Sequence, residues 1–176
     1  KQYNNSIKSL TIGLDFIVEN NLLKVEYYTT LAESFKALDR HHESDSLFEL
    51  ALLINPENAL VLNNYSYYLS LRKKNLEKAK EMSKRSNELE PKNGTYQDTY
   101  AWILYQMGDY NNSEIWLKKA ISNGGGSSPV IIEHYGDVLF RLGKKDEALK
   151  QWKKAIILDE DNNSLLQKIK NKQVND

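Results

Sequence analysis

The chain has 176 residues, 40% hydrophobic and 27% charged, with 24 Lys and Arg against 24 Asp and Glu. That balance gives no bulk attraction to nucleic acid or to an anionic membrane. The absence of Cys excludes disulfides, thiolate metal sites and thiol nucleophiles. No apolar run approaches the roughly 20 residues that a bilayer crossing needs.

The opening "KQYNNSIKSL" shows no basic segment followed by an apolar one, and no Met. Its "YNNS" returns at residues 110–113. The first copy puts Ser6, Leu10 and Gly13 at offsets of 0, 4 and 7. The same offsets hold Ser44, Phe48 and Ala51, then Ala79, Ser83 and Ser86. They also hold Ser113, Leu117 and Ala120, and finally Ala148, Trp152 and Ala155. From Ser6 the spacings of the leading residue are 38, 35, 34 and 35, which is an internal repeat with one connection about four residues longer.

Residues 1–24 therefore read as the second helix of a truncated repeat plus a loop. Four helix pairs follow, at 25–58, 59–93, 94–128 and 129–163. Their first helices are "VEYYTTLAESFKAL", "ALVLNNYSYYLSLR", "TYQDTYAWILYQM" and "PVIIEHYGDVLFRL". Each has a small residue (Ala32, Ser66, Ala101, Gly136) and, three later, a large one (Phe35, Leu69, Leu104, Leu139). A small residue there lets a neighbouring helix approach, and the large one fills the groove beside it. Asp39, Gly108 and Gly143 suit a left-handed turn, with Asn75 as the substitute in the second pair. Pro56 and Pro91 stop the second helices. Ser128 and Pro129 read as a helix cap and first position. In "NSLLQKIKNKQV", Leu165, Leu166 and Ile169 predict an amphipathic capping helix within 164–176, with its polar residues in water. Nothing reads as a strand.

This pattern resembles the tetratricopeptide repeat (TPR) family. The residues that carry the likeness are Leu31, Ala32, Phe35, Phe48, Ala51 and Pro56. Further along they are Tyr100, Ala101, Leu104, Gly108, Tyr110, Leu117 and Ala120, and then Tyr135, Gly136, Leu139, Gly143, Ala148, Trp152 and Ala155. Ser44 and Ser113 depart from the commoner Ala, Ser83 from an aromatic and Glu160 from a closing Pro. The resemblance implies an all-α right-handed superhelix, an α-solenoid with a C-terminal capping helix. Phrases such as "TYAWILYQMGDY" are also similar to the C-terminal region of bacterial envelope TPR lipoproteins. That implies the periplasmic side of the envelope with an anchor upstream, the alternative being the cytoplasm.

Candidate chemistry is sparse. "NGGGSSPV" lacks the strand and Gly-Lys-Ser/Thr of a phosphate loop and reads as a connection. His41 and His42 sit in a turn without further metal ligands. His134 stands one turn from Asp137 with no nucleophile elbow nearby. Asp159, Glu160 and Asp161 lack a calcium-loop pattern. Basic residues of the second helices interleave with Glu and lack stacking aromatics, so nucleic acid is not expected. No cofactor, metal or catalytic residue is expected, nor a small-molecule substrate or direct membrane contact.

The expected function is therefore a non-catalytic scaffold for a protein or peptide. The resemblance places the first helices on the concave side. The groove residues it gives are Glu33, Asn63, Tyr67, Ser70, Asp98, Trp102, Tyr105, Glu133, Asp137 and Arg141. The aromatics either anchor a partner or pack between repeats. With Asp98, Glu133 and Asp137 nearby, the groove would suit an apolar segment carrying basic residues. Thr29, Glu33, Thr95 and Thr99 do not reproduce the basic clamp by which some family members grip a C-terminal carboxylate. The alternative is a repeat region accessory to a catalytic or membrane-anchoring part upstream.

Overall fold

The computed structural model describes residues 3, 7–9, 12–13 and 20–174. Every regular element among them is helical. In chain order these are α1 (Asn21–Lys36), α2 (His41–Ile54), α3 (Ala59–Leu71), α4 (Leu76–Leu89) and α5 (Gly94–Gln106). After them come α6 (Tyr110–Ser122), a 3-10 turn (Gly125–Ser127), α7 (Pro129–Arg141), α8 (Lys145–Leu158) and α9 (Asn163–Asn171). The fold is an all-α solenoid of helix–turn–helix repeats. Among the expected N-terminal residues, Ser6 and Leu10 lie outside the described ones. Gly13 is helical, and a Cβ on it would lie 2.5 Å from the Tyr27 ring.

The repeat pattern becomes a burial pattern. In the first helices Ala32, Ser66 and Ala101 are fully enclosed and Gly136 is buried. In the second helices the same is true of Phe48, Ser83, Leu117 and Trp152, each followed by an enclosed Ala51, Ser86, Ala120 or Ala155. Only Phe35 of the large first-helix residues stays half-buried, with the Arg40 guanidinium 4.4 Å over its ring. A Cβ on Gly136 would collide with the Trp152 indole, which explains the smallest residue opposite the largest.

The first helices share a start signal. Asn20, Asn58, Asn93, Ser128 and Asn162 each accept a backbone N–H of the following turn with a side-chain oxygen. Asn20 stands 12 residues before Ala32, whereas Asn58 stands 8 before Ser66. The extra four residues thus become a turn at the start of α1 instead of a longer loop. The left-handed turns fall at Asp39, Gly108 and Gly143 as expected. In the second pair Lys73 takes that place, bonding Ser70 O as Gly108 bonds Tyr105 O. Asn75 is a further left-handed residue just before α4.

The chain divides into two compact units, Lys1–Tyr65 and Ser66–Asp176, with the division inside α3. In the first, the Tyr65 ring stacks on Phe48 at 5.2 Å and its hydroxyl donates to Glu49. In the second, one apolar cluster joins Ala101, Leu117, Ala120, Ile131 and Val138. The other joins Ile132, Leu139, Ala148, Trp152, Ala155 and Leu165. The last residue belongs to α9, so α9 closes that core.

Candidate functional site

The first helices bring together most of the expected groove residues, unit by unit. The residue just after each enclosed small one is Glu33, Tyr67, Trp102 or Asp137. Six residues beyond the N-cap of the following helix stand Asn64, Thr99, His134 and Lys168, and three of these four, all but Thr99, reach back to it. In the first unit Asn64 Nδ2 donates to Glu33 Oε1 at 2.9 Å. In the second, His134 lies flat on Trp102, with ring centroids 4.0 Å apart, and Lys168 Nζ donates to Asp137 Oδ2 at 2.7 Å. Thr99 occupies the corresponding place on α5 and bonds its own Thr95 carbonyl.

His134 is the centre of the second unit's site. It is buried, and its Nδ1 lies 2.9 and 3.1 Å from the two Asp98 oxygens. The expected local pairing with Asp137 gives way to this longer-range one. Burial alone would lower the imidazole pKa, but the Asp98 carboxylate outweighs it, with Asp137 and Glu133 adding, so the value is raised. Trp102 also stacks on Tyr105 at 4.7 Å, giving a three-ring stack, and its indole N–H is buried without an acceptor. Arg141 Nε donates to the Tyr105 hydroxyl at 3.1 Å from the exposed rim.

The acidic residues are answered from within. Asp98 faces His134. Glu133 accepts from Lys168 at 2.7 Å and from Asn162 at 3.3 Å. Asp137 accepts from Trp152 Nε1 at 2.9 Å as well as from Lys168. Lys168 is only 7% exposed, contrary to the expectation that the capping helix shows its polar residues to water. Leu166, expected to help cover the core, is 45% exposed instead. Burial pushes Asp137 above the usual carboxylate range in spite of Lys168. Lys168 is itself raised, because the two carboxylates outweigh its burial.

The remaining residues are simpler. Ser70 is enclosed and turns its hydroxyl onto Tyr67 O at 2.6 Å. Asn63, also buried, donates to Asn64. Tyr67 is half-buried, and burial, with the Asp98 and Glu133 charges, raises its phenol pKa. The glycine loop packs close against the end of α6. Asn123 donates to Gln97, and Cβ atoms on Gly94 or Gly125 would lie 2.8 Å from the Ala120 carbonyl. An open cleft of about 650 Å³ lies between this loop and residues 90–95. No group of His, Asp or Glu able to hold a metal occurs among the described residues, and none of their helices is long and apolar enough to cross a membrane.

The tetratricopeptide repeat family model matches residues 25–58 and 96–123. No curated protein matches the chain. Among solved structures, TTC0263, a thermophilic TPR protein of Thermus thermophilus, gives a TM-score of 0.78 at 18% identity. That match covers 97% of this chain and 90% of that one. PilW, a widely conserved type IV pilus biogenesis factor, gives 0.81 at 19%, over 97% and 78%. The 41-to-end part of MamA from Desulfovibrio magneticus RS-1 gives 0.74 at 12%, over 92% and 88%. At these identities the likeness carries the fold.

Proposed function

We propose that this chain, an all-α solenoid whose residues 25–58 and 96–123 match the tetratricopeptide repeat model, holds a protein or peptide segment against the first-helix face of its second unit. The reading rests on Trp102 and Tyr105, stacked on each other, with Arg141 bonded to the Tyr105 hydroxyl, and on Tyr67, whose phenol feels the Asp98 and Glu133 charges. Aromatic residues and Arg supply most interface hot spots. Tyr67 and Tyr105 are half-buried, so each keeps part of its ring available while its backbone is held by a packed helix.

The internal pairing of Asp98, Glu133 and Asp137 bears on the partner. Carboxylates already bonded to His134 and Lys168 offer little to incoming basic residues. The contact is then mainly apolar and aromatic, with Arg141 as the exposed polar group at the rim.

The test uses Tyr67→Ser and Arg141→Glu rather than Trp102→Ala, because Trp102 packs between two helices. Photo-crosslinkers placed at Tyr67 and Arg141 should trap a common partner, and one at Lys154 on α8 should not. Equal trapping at all three positions, in chains of unchanged melting temperature, would rule the face out.

A further inference from the structure

We propose that α9 is a built-in occupant of a lysine-binding seat, and that this seat takes a lysine-bearing amphipathic helix from another polypeptide when α9 lifts. The proposal rests on reading the first-helix face as an interaction surface and names the chemistry of one end of it.

The seat is a formed site. Glu133 Oε1 and Asp137 Oδ2 converge on one ammonium at 2.7 Å each, from positions one turn apart on α7. Trp152 Nε1 donates to the other oxygen of Asp137, fixing that carboxylate from behind. Beside the two acids lies an apolar hollow of Ile132, Leu139, Trp152 and Ala155, filled by Leu165. A helix that presents Leu three residues before Lys fits both parts at once. Two carboxylates around one ammonium also leave a net negative charge, which favours a cation as occupant.

The occupant seen is joined in a way that allows exchange. Helix α9 has only nine residues, short for a helix that must hold by itself. It follows α8 through residues 159–162. It begins on a repeat-type cap, since Asn162 stands 34 residues after Ser128, as Ser128 stands 35 after Asn93. Lys168 holds the place of His134 and Asn64. The surface beneath α9 is thus the ordinary seat for a following first helix, here filled from within the chain. Outward, α9 shows Leu166, at 45% exposed.

The test is binding in trans of a labelled peptide with the sequence of residues 161–174. Its target is the full chain carrying Leu165→Ser and Lys168→Met, which disable the internal α9. The peptide should bind this chain at least tenfold tighter than it binds the unaltered chain. A peptide with Lys168→Met should bind at least tenfold weaker, and so should the wild-type peptide when the chain also carries Glu133→Gln and Asp137→Asn. Equal binding to intact and disabled chains, indifference to the peptide lysine, or no binding to a disabled chain with an intact helical signal would overturn the proposal. Hydrogen exchange of the unaltered chain gives a second readout that needs no variant. The amides of α9 should exchange through a local opening, faster than those of α7. Exchange of both only through global unfolding would overturn the proposal, whereas equal crosslinking at Tyr67 and Lys154 would refute only the broader groove reading.

Discussion

His134 lies flat on Trp102 and holds Asp98 with the same ring, so one imidazole joins α7 to α5 by stacking and by charge. The apolar contact needs a planar ring, and the polar one is a charged pair only while both ring nitrogens carry protons. Together they make the α5–α7 joint sensitive to the protonation of a single group.

The pH dependence follows from the sign of that shift. The folded value of His134 is raised above its ordinary 6.5. Its contribution to stability is complete below about pH 6.5 and is lost as pH rises through the folded value. The melting temperature should therefore fall as pH rises above about 6.5. His134→Gln, which keeps a donor and loses the charge, should flatten that slope. The check is a series of melts across this range, and identical slopes for both chains would remove the assignment.

Gly136 sets helix propensity against packing. Replacing a helical Gly by Ala gains about 1 kcal/mol in propensity. Here the added methyl meets the enclosed Trp152 ring, and overpacking costs about 1–3 kcal/mol. Because the Trp152 ring is fully enclosed and cannot give way, packing wins, and Gly136→Ala should destabilise by up to about 2 kcal/mol in denaturant unfolding.

Much of this was legible in the residues. The offsets of the small residues placed Ala32, Ser66, Ala101 and Gly136 in the core because close helix approach leaves no other choice there. What the sequence hid was pairing between repeats. Helical spacing points His134 at Asp137, its neighbour on one helix, whereas a partner 36 residues away holds it. Lys168 looked like a solvated residue of an amphipathic helix, because its burial depends on two carboxylates from α7 that no local pattern reveals. The cap asparagines carry a further signal. Their spacing alone shows that α1 has an extra turn and that α9 starts as a first helix would.

Ser83 stands where the other second helices place Phe48, Leu117 and Trp152. It is enclosed, and its hydroxyl has no hydrogen-bond partner. A buried unsatisfied polar group costs about 1–3 kcal/mol. Ser83→Ala removes the group with little change of volume and should stabilise the chain by about 1 kcal/mol. A lower denaturation midpoint for this variant would show that the hydroxyl is satisfied in solution.

Lys168 separates the cost of breaking a buried ion cluster from the worth of having one. Lys168→Met keeps the aliphatic stem and leaves Glu133 and Asp137 facing each other without a cation. Removing one partner of a buried pair costs about 3–5 kcal/mol. Adding Glu133→Gln and Asp137→Asn removes the stranded charges as well, so the triple variant should recover part of that loss. Most of the single-variant penalty then belongs to the two carboxylates left behind, and the smaller remainder to the bonds Lys168 made. Unfolding in urea of the single, double and triple variants measures each part. A triple variant less stable than Lys168→Met would mean that the two introduced amides pack worse than the unpaired acids repel.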